Sequence, residues 1–113
     1  MSISDIHRVE AEISKFEEAK KLAKALERLK TNPDFKLIIE TGYCTKYLDA
    51  LVRSLAIVSN EANVNQTNRQ IAGIGSLNHY LDTIENNGYI AESELETLYQ
   101  TRVHLQTQGD VNE

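Results

Sequence analysis

Apolar side chains recur every three or four residues along two long stretches of this chain, which is the spacing of one helix face. The first stretch lies near the N-terminus and consists of Ile6, Val9, Ile13 and Phe16. The second lies beyond the middle of the chain and consists of Ile71, Ile74, Leu77, Leu81 and Ile84. No segment alternates apolar and polar residues for long enough to predict a strand. The pattern therefore predicts an all-α protein.

The first predicted helix covers residues 4–31, with Ser4 as its N-cap. A helix of that length spans about 42 Å. Beyond Phe16 the apolar stripe continues after a three-residue step, and this predicts a local overwinding of a coiled-coil-like face. The side chains that carry the stripe there are Ala19, Leu22, Leu26 and Leu29.

Two short helices are predicted within residues 33–58. Pro33 suits the first helical position of the first one, and Asn32 suits the N-cap before it. Gly42 predicts a left-handed residue that ends this helix. Thr45 can cap the second helix, which carries the richest apolar sequence of the chain, and the two short helices together are predicted to supply the compact core. The apolar residues of the second helix are Tyr47, Leu48, Leu51, Val52, Leu55, Ala56 and Val58.

The second half of the chain is predicted to begin with an exposed loop at residues 59–66, which hold three asparagines. The last helical region covers residues 67–107 and is either one long helix or two helices joined at Gly88. Propensity favours a joint, because Asn-Asn-Gly is a strong local stop signal. Helical spacing nevertheless resumes after it. The polar tail, residues 108–113, is predicted to be disordered.

Composition and charge narrow the class of protein. The chain has 113 residues, the size of one domain, and its formal net charge of −5 argues against a general nucleic-acid binder. No stretch approaches the ~20 apolar residues of a membrane helix, and no apolar signal segment follows the N-terminus. We therefore expect a soluble, intracellular protein. Residues 81–113 hold seven acidic residues and one basic residue, whereas lysines cluster on the first helix.

Candidate catalytic and metal-binding groups lack the partners that their chemistry needs. Cys44 has no base near it in sequence, so we predict a packing role. His79 and Asp82 are spaced for one helix face, but two ligands do not make a metal site. Gly73 and Gly75 lack the third glycine and the lysine of phosphate loops, and predict a close approach of helices instead. We expect no enzymatic activity, no cofactor and no metal.

Four segments of the sequence carry a resemblance to a known family. They are residues 25–29 (ALERL), 32–35 (NPDF), 42–43 (GY) and 71–81 (IAGIGSLNHYL). In this order and spacing they resemble a family of small helical tailed-bacteriophage proteins that are encoded among virion and morphogenesis genes. The resemblance covers roughly residues 20 to 100 and implies a final helix that continues through Gly88. The chain departs from the family pattern at Cys44-Thr45, at Gly73 and at Asn87-Gly88.

The predicted architecture is a single domain, residues 1–113, built as a long antiparallel helical hairpin that resembles a coiled coil. The two short helices lie at one end of it. The N-terminal stripe is the predicted interaction site, and its residues are Ile6, Val9, Ile13 and Phe16. The final helix covers this stripe if it runs to about Thr107. If the helix breaks at Gly88, a second chain must cover it.

The expected function follows from the resemblance and from the apolar stripes on the two long helices. We expect a phage virion structural or assembly protein that is assembled in the host cytoplasm. It would pack its helices against copies of itself, as a homo-oligomer, and against capsid, portal or tail proteins. The alternative is a phage-encoded binding module that inhibits a host protein. We expect no membrane or nucleic-acid partner.

Overall fold

The structure, a computed structural model, describes residues 3–57 and 60–111, with side chains as far as residue 108. Helices account for 95% of these residues, and no strand occurs among them, which confirms the all-α prediction. Five helical elements follow one another along the chain. They are α1 (Ile3–Lys30), α2 (Pro33–Phe35), the π-helix π1 (Lys36–Tyr47), α3 (Leu48–Leu55) and α4 (Glu61–Val111).

The chain divides into two compact units, and the boundaries between them fall inside α1 and inside α4. The first unit consists of Met1–Ala25 and Ile84–Glu113, and the second is Leu26–Thr83. The described residues of the first unit are all helical, and those of the second are helical apart from residues 31–32, 56–57 and 60. The single domain expected for residues 1–113 stays a prediction.

In the first unit α1 and α4 form an antiparallel helical hairpin. The Tyr99 hydroxyl donates a hydrogen bond to Glu17, and Gly88 lies against Ala23. Residues later in α1 therefore face residues earlier in α4. The buried core of this unit consists of Val9, Ile13, Leu95, Leu98 and Leu105, with Ile6 and Phe16 partly buried against it. Buried positions on α4 alternate by four and three residues, the spacing of coiled-coil packing. They are Ile84, Gly88, Ala91, Leu95 and Leu98.

Gly88 lies inside α4, which continues without a break from Glu61 to Val111. It is buried, and a Cβ atom on it would collide with the side chain of Ala23. Of the two alternatives left open at Gly88, a joint or one long helix, the structure therefore has the long helix. Close packing of the two helices outweighs the ~1 kcal/mol that glycine costs inside a helix. The prediction of a disordered tail at residues 108–113 is also wrong as far as Val111, because α4 extends to that residue.

Two of the four side chains predicted to continue the apolar stripe of α1 lie on it and two do not. Ala19 is half-buried and Leu26 is 5% exposed, whereas Leu22 and Leu29 are 46% and 44% exposed. Ala23 is half-buried as well, and it lies opposite Gly88, where the close approach of the two helices requires a small side chain.

In the second unit residues 33–55 form one uninterrupted helix, which we call the 33–55 helix, in place of the two short helices predicted. Gly42 does not end a helix, since no described glycine has a positive φ. Thr45 does not cap one either, because its hydroxyl donates to the carbonyl oxygen of Glu40 at 2.8 Å. That acceptor lies five residues earlier, which matches the wider register of a π-helix. A Cβ atom on Gly42 would lie 3.0 Å from the carbonyl oxygen of Leu37.

The loop predicted at residues 59–66 is wrong from residue 61 onward, because α4 begins at Glu61. The Oδ1 atom of Asn60 accepts a hydrogen bond from the N–H of Ala62 at 2.8 Å. One of the asparagines that predicted a loop is thus the N-cap of the long helix. Val58 and Ser59, which were assigned to a helix end and a loop, lie outside the described residues.

The junction before Pro33 has the predicted structure. The Oδ1 atom of Asn32 accepts hydrogen bonds from the N–H groups of Asp34 at 2.8 Å and Phe35 at 3.3 Å. Asn32 is therefore an N-cap, and Pro33 occupies the first helical position. This confirms the predicted start of the helix.

Asn32→Ala is expected to lower the free energy of unfolding by about 1 kcal/mol, because it leaves the two capped N–H groups without their acceptor. Pro33→Ala is expected to cost less, since proline at this position removes no intrahelical hydrogen bond. Urea unfolding monitored by circular dichroism measures both. A larger cost for the proline variant would contradict the assignment of this junction.

Candidate functional site

The 33–55 helix leaves most of its apolar side chains in contact with solvent. No residue of π1 is buried, and in α3 the buried residue is Leu51. The large exposed side chains are Leu37 (64%), Ile38 (64%), Val52 (51%) and Tyr47 (43%). Clustered apolar side chains on a surface mark interaction sites more often than singly scattered ones do. The exposed surface of the 33–55 helix is therefore the candidate functional site.

Two aromatic side chains stack on each other in the middle of the 33–55 helix. The rings of Tyr43 and Tyr47 stack with centroids 5.9 Å apart and planes at 17°. The Tyr43 hydroxyl lies 3.7 Å from the position that a Cβ atom on Gly73 would take, an ordinary contact distance. A Cβ atom on Gly75 would have nothing within 4 Å. The close helix approach predicted for these two glycines is therefore wrong, because Gly73 has room for a methyl group and Gly75 faces open space.

A groove lies beside the 33–55 helix in the second unit, with a volume of about 230 Å³. It is lined by Lys30, Ile39, Glu40, Cys44, Asn78, Leu81 and Asp82. The Cys44 thiol donates to Oδ1 of Asn78 at 3.4 Å, so its contact in the groove is an amide oxygen and not a base. The groove is smaller than the ~300–1,000 Å³ of typical small-molecule sites. It supports no assignment of a substrate.

The predicted interaction stripe lies on the inner side of the hairpin. Val9 is 9% exposed and Ile13 is 3% exposed, and both pack in the core with Leu95 and Leu98 of α4. Ile6 and Phe16 are partly buried against the same core. The four residues thus have the position expected when the final helix runs past Thr107. Their role in binding another chain stays a prediction.

The histidines and acidic residues do not assemble into a metal site in the described part of the chain. His7, His79 and His104 are all exposed. Among the described residues no group of three His, Cys, Asp or Glu side chains lies close enough to hold a metal ion. The expected absence of catalysis stays a prediction.

A side-chain hydrogen bond joins α1 and α4 in the hairpin. The Tyr99 hydroxyl donates to a carboxylate oxygen of Glu17 at 2.8 Å, and the Arg102 guanidinium lies 5.4 Å from the centroid of the Tyr99 ring. This hydrogen bond raises the pKa of Tyr99 above its ordinary 10.0, and partial desolvation and the negative charge of Glu17 raise it further. The positive charge of Arg102 acts in the opposite direction.

The raised pKa predicts how stability depends on pH. The folded protein holds the Tyr99 proton more tightly than the unfolded chain, so the contact is at full strength below pH ~10. Its contribution is lost as the pH rises through the pKa of the folded state. Tyr99→Phe is therefore expected to lower the free energy of unfolding at pH 8 and to have little effect on it at a pH above the pKa of Tyr99 in the folded protein. Difference absorbance of tyrosinate between the two proteins measures the Tyr99 pKa. A value at or below 10 would contradict the assignment.

Comparisons with other proteins leave the family open, since no family model, no curated protein and no solved structure matches this chain. No helix in the described part of the chain combines the length and hydropathy that a transmembrane segment needs.

Sequence reasoning missed the candidate site because it assigned these apolar residues to the core. The signal was present in the first turns of the helix, where Phe35, Leu37, Ile38 and Ile39 are apolar on more than one side. A helix packed on one partner buries one stripe and leaves the rest of such a sequence exposed.

Proposed function

We propose that this protein is a virion structural or assembly protein of a tailed bacteriophage. It packs its helices against copies of itself and against capsid, portal or tail proteins, and it is assembled in the host cytoplasm. The sequence segments that resemble small virion and morphogenesis proteins support this role. The observation that carries the proposal is the exposed apolar surface of the 33–55 helix, in particular Leu37, Ile38 and Val52.

A partner that covers this surface gains the free energy of burying its apolar side chains. Burying one large apolar side chain contributes about 1.5–3 kcal/mol. Leu37 and Ile38 are each 64% exposed and adjacent in the first turn of π1, so a partner can cover both. A surface of this kind serves packing against another protein, and the 230 Å³ groove beside it offers little to a small molecule.

Quantitative mass spectrometry of purified virions tests the proposal. A structural component is present at a fixed copy number per particle, and we expect this result. A module that inhibits a host protein is absent from particles and is recovered with its host target instead. Absence from purified particles, together with normal particle assembly when the gene is deleted, would contradict the proposed role.

A pair of variants tests whether the 33–55 helix is the surface used. Leu37→Asn with Ile38→Asn is expected to reduce recovery in particles several-fold while helix content is unchanged. The matched control is Tyr89→Asn with Ile90→Asn, since these side chains on α4 are 72% and 53% exposed. Equal loss in both variants would show that the 33–55 helix has no special part in incorporation.

A further inference from the structure

Asn87 directly precedes Gly88 in the part of α4 that belongs to the first unit. An asparagine followed by glycine is the sequence that loses its side-chain amide most readily, because glycine has no side chain to obstruct the attack of its own nitrogen and adopts many backbone conformations. No other asparagine of the chain is followed by glycine. Asn87 is exposed, whereas Gly88 is buried. A reactive pair of residues therefore lies at the closest contact between the two helices of the hairpin.

Loss of the amide from this pair consumes water and releases ammonia. A base in the solvent takes the proton of the Gly88 N–H, the nitrogen bonds to Cγ of Asn87, and the bond from Cγ to the amide nitrogen breaks. The amide nitrogen takes up a proton from the solvent and leaves as ammonia, and a five-membered succinimide ring remains. Water then opens the ring at either carbonyl. The product is aspartate, or isoaspartate, whose main chain runs through the former side chain and is one carbon longer.

The closed hairpin keeps the reacting atoms out of this geometry. In α4 the N–H of Gly88 donates to the carbonyl oxygen of Ile84, four residues earlier, so a base cannot reach its proton. Ring closure also requires the Gly88 nitrogen to eclipse Cβ of Asn87 about the Cα–C bond, and a helical ψ of about −42° keeps the two atoms apart. Because Gly88 packs against Ala23, this turn of α4 opens when the two helices separate.

We infer that Asn87 is a deamidation site that the closed hairpin protects and the open hairpin exposes. Packing of α1 on α4 controls the reaction, because it is what holds Asn87 and Gly88 in a helix against their local preference. Isoaspartate at position 87 lengthens the main chain of α4 and moves Gly88 out of register with Ala23, so the modified chain cannot close in the same way. The reaction therefore makes a prolonged opening of the hairpin irreversible. This inference goes beyond the proposed virion role and does not depend on it.

Peptide mass spectrometry of protein incubated at mildly alkaline pH measures the conversion. Asn87 is expected to convert at least about a hundredfold more slowly in the folded protein than in concentrated guanidinium chloride, since the interior of a packed helix opens rarely. Asn86 is the internal control, because it is exposed beside Asn87 and is followed by asparagine. It is expected to convert more slowly than Asn87 in the denaturant. Equal rates for Asn87 with and without denaturant would overturn the inferred protection.

Variants of the hairpin core test whether opening of the hairpin limits the reaction. Ile13→Ala removes buried contacts between α1 and α4, and it is expected to speed the conversion of Asn87 in the folded protein about thirtyfold or more. The matched control is Ile90→Ala, which is nearer to Asn87 in sequence but 53% exposed, and which is expected to change the rate less than about fivefold. Equal acceleration by both variants, or by neither, would show that α4 opens locally and that the hairpin does not control the reaction.

The effect of the longer main chain is tested separately from the effect of the new charge. Asn87→Asp adds the charge alone, and no acidic residue lies three or four positions away from it on α4, so this variant is expected to keep its helix content. Protein converted in denaturant and purified as the isoaspartate form is expected to lose helix content on return to native conditions. Asn87→Gln, whose longer side chain disfavours the ring, is expected to refold fully after the same treatment. Full refolding of the isoaspartate form would overturn the inferred irreversibility.

Discussion

Gly88→Ala is expected to lower the free energy of unfolding by about 1–3 kcal/mol, although alanine is the better helix former. The new methyl group would occupy the space of the Ala23 side chain on the facing helix. Neither a methyl group nor the backbone behind it can rotate away, so the two helices must separate. Ala91, fully buried in the next turn of α4, would lose contacts as they do. Urea unfolding monitored by circular dichroism measures the change.

Gly75→Ala is the matched control for this prediction. Gly75 lies in the same helix, and a Cβ atom on it would have nothing within 4 Å. This variant is expected to be more stable than the unmodified protein by up to about 1 kcal/mol, through helix propensity alone. Adding Ala23→Gly to Gly88→Ala moves the methyl group to the opposite helix and should restore most of the lost stability. Stabilisation by Gly88→Ala itself would show that the close approach is absent.

Ile13→Ala is expected to cost about 2–5 kcal/mol, because it removes three buried carbon atoms from the core of the first unit. Ile13 is 3% exposed and packs in the same cluster as Leu95 and Leu98. Ile13→Asp together with Phe16→Asp would bury uncompensated charge in the same place and is expected to unfold the hairpin. Helix content and the midpoint of thermal unfolding record both changes.

Ile90→Ala is the control with the same chemistry. Ile90 lies on α4 in the same unit but is 53% exposed, so its truncation is expected to cost less than about 1 kcal/mol. Similar costs at Ile13 and Ile90 would mean that the stripe is not the core of the hairpin. Loss of particle recovery in Ile13→Ala without loss of stability would return the stripe to the role of an interaction surface.

Part of the candidate site could be predicted from the chain alone. The cap at Asn32 and the first turn at Pro33 are local features, and the structure has both as predicted. The sequence indicates that the first turns of this helix cannot bury all their apolar side chains, but it does not say that Leu37 and Ile38 are the exposed ones, because an apolar residue has the same sequence signal whether its own chain covers it or not. The continuous π register through Gly42 was likewise hidden, since the glycine fits both a helix end and a wide turn.

By itself the sequence determined the helical class, the cap at Asn32 and the N-terminal stripe from Ile6 to Phe16. These follow from interactions between residues three or four apart, which any helix contains. Tertiary structure alone decided that α4 passes through Gly88 and that the stripe of α1 continues to Ala23. Both depend on how closely two helices approach, and the side chain that limits this approach lies far away in sequence. The free energy of packing along the hairpin therefore outweighs the ~1 kcal/mol by which the local stop signal disfavours a continuous helix.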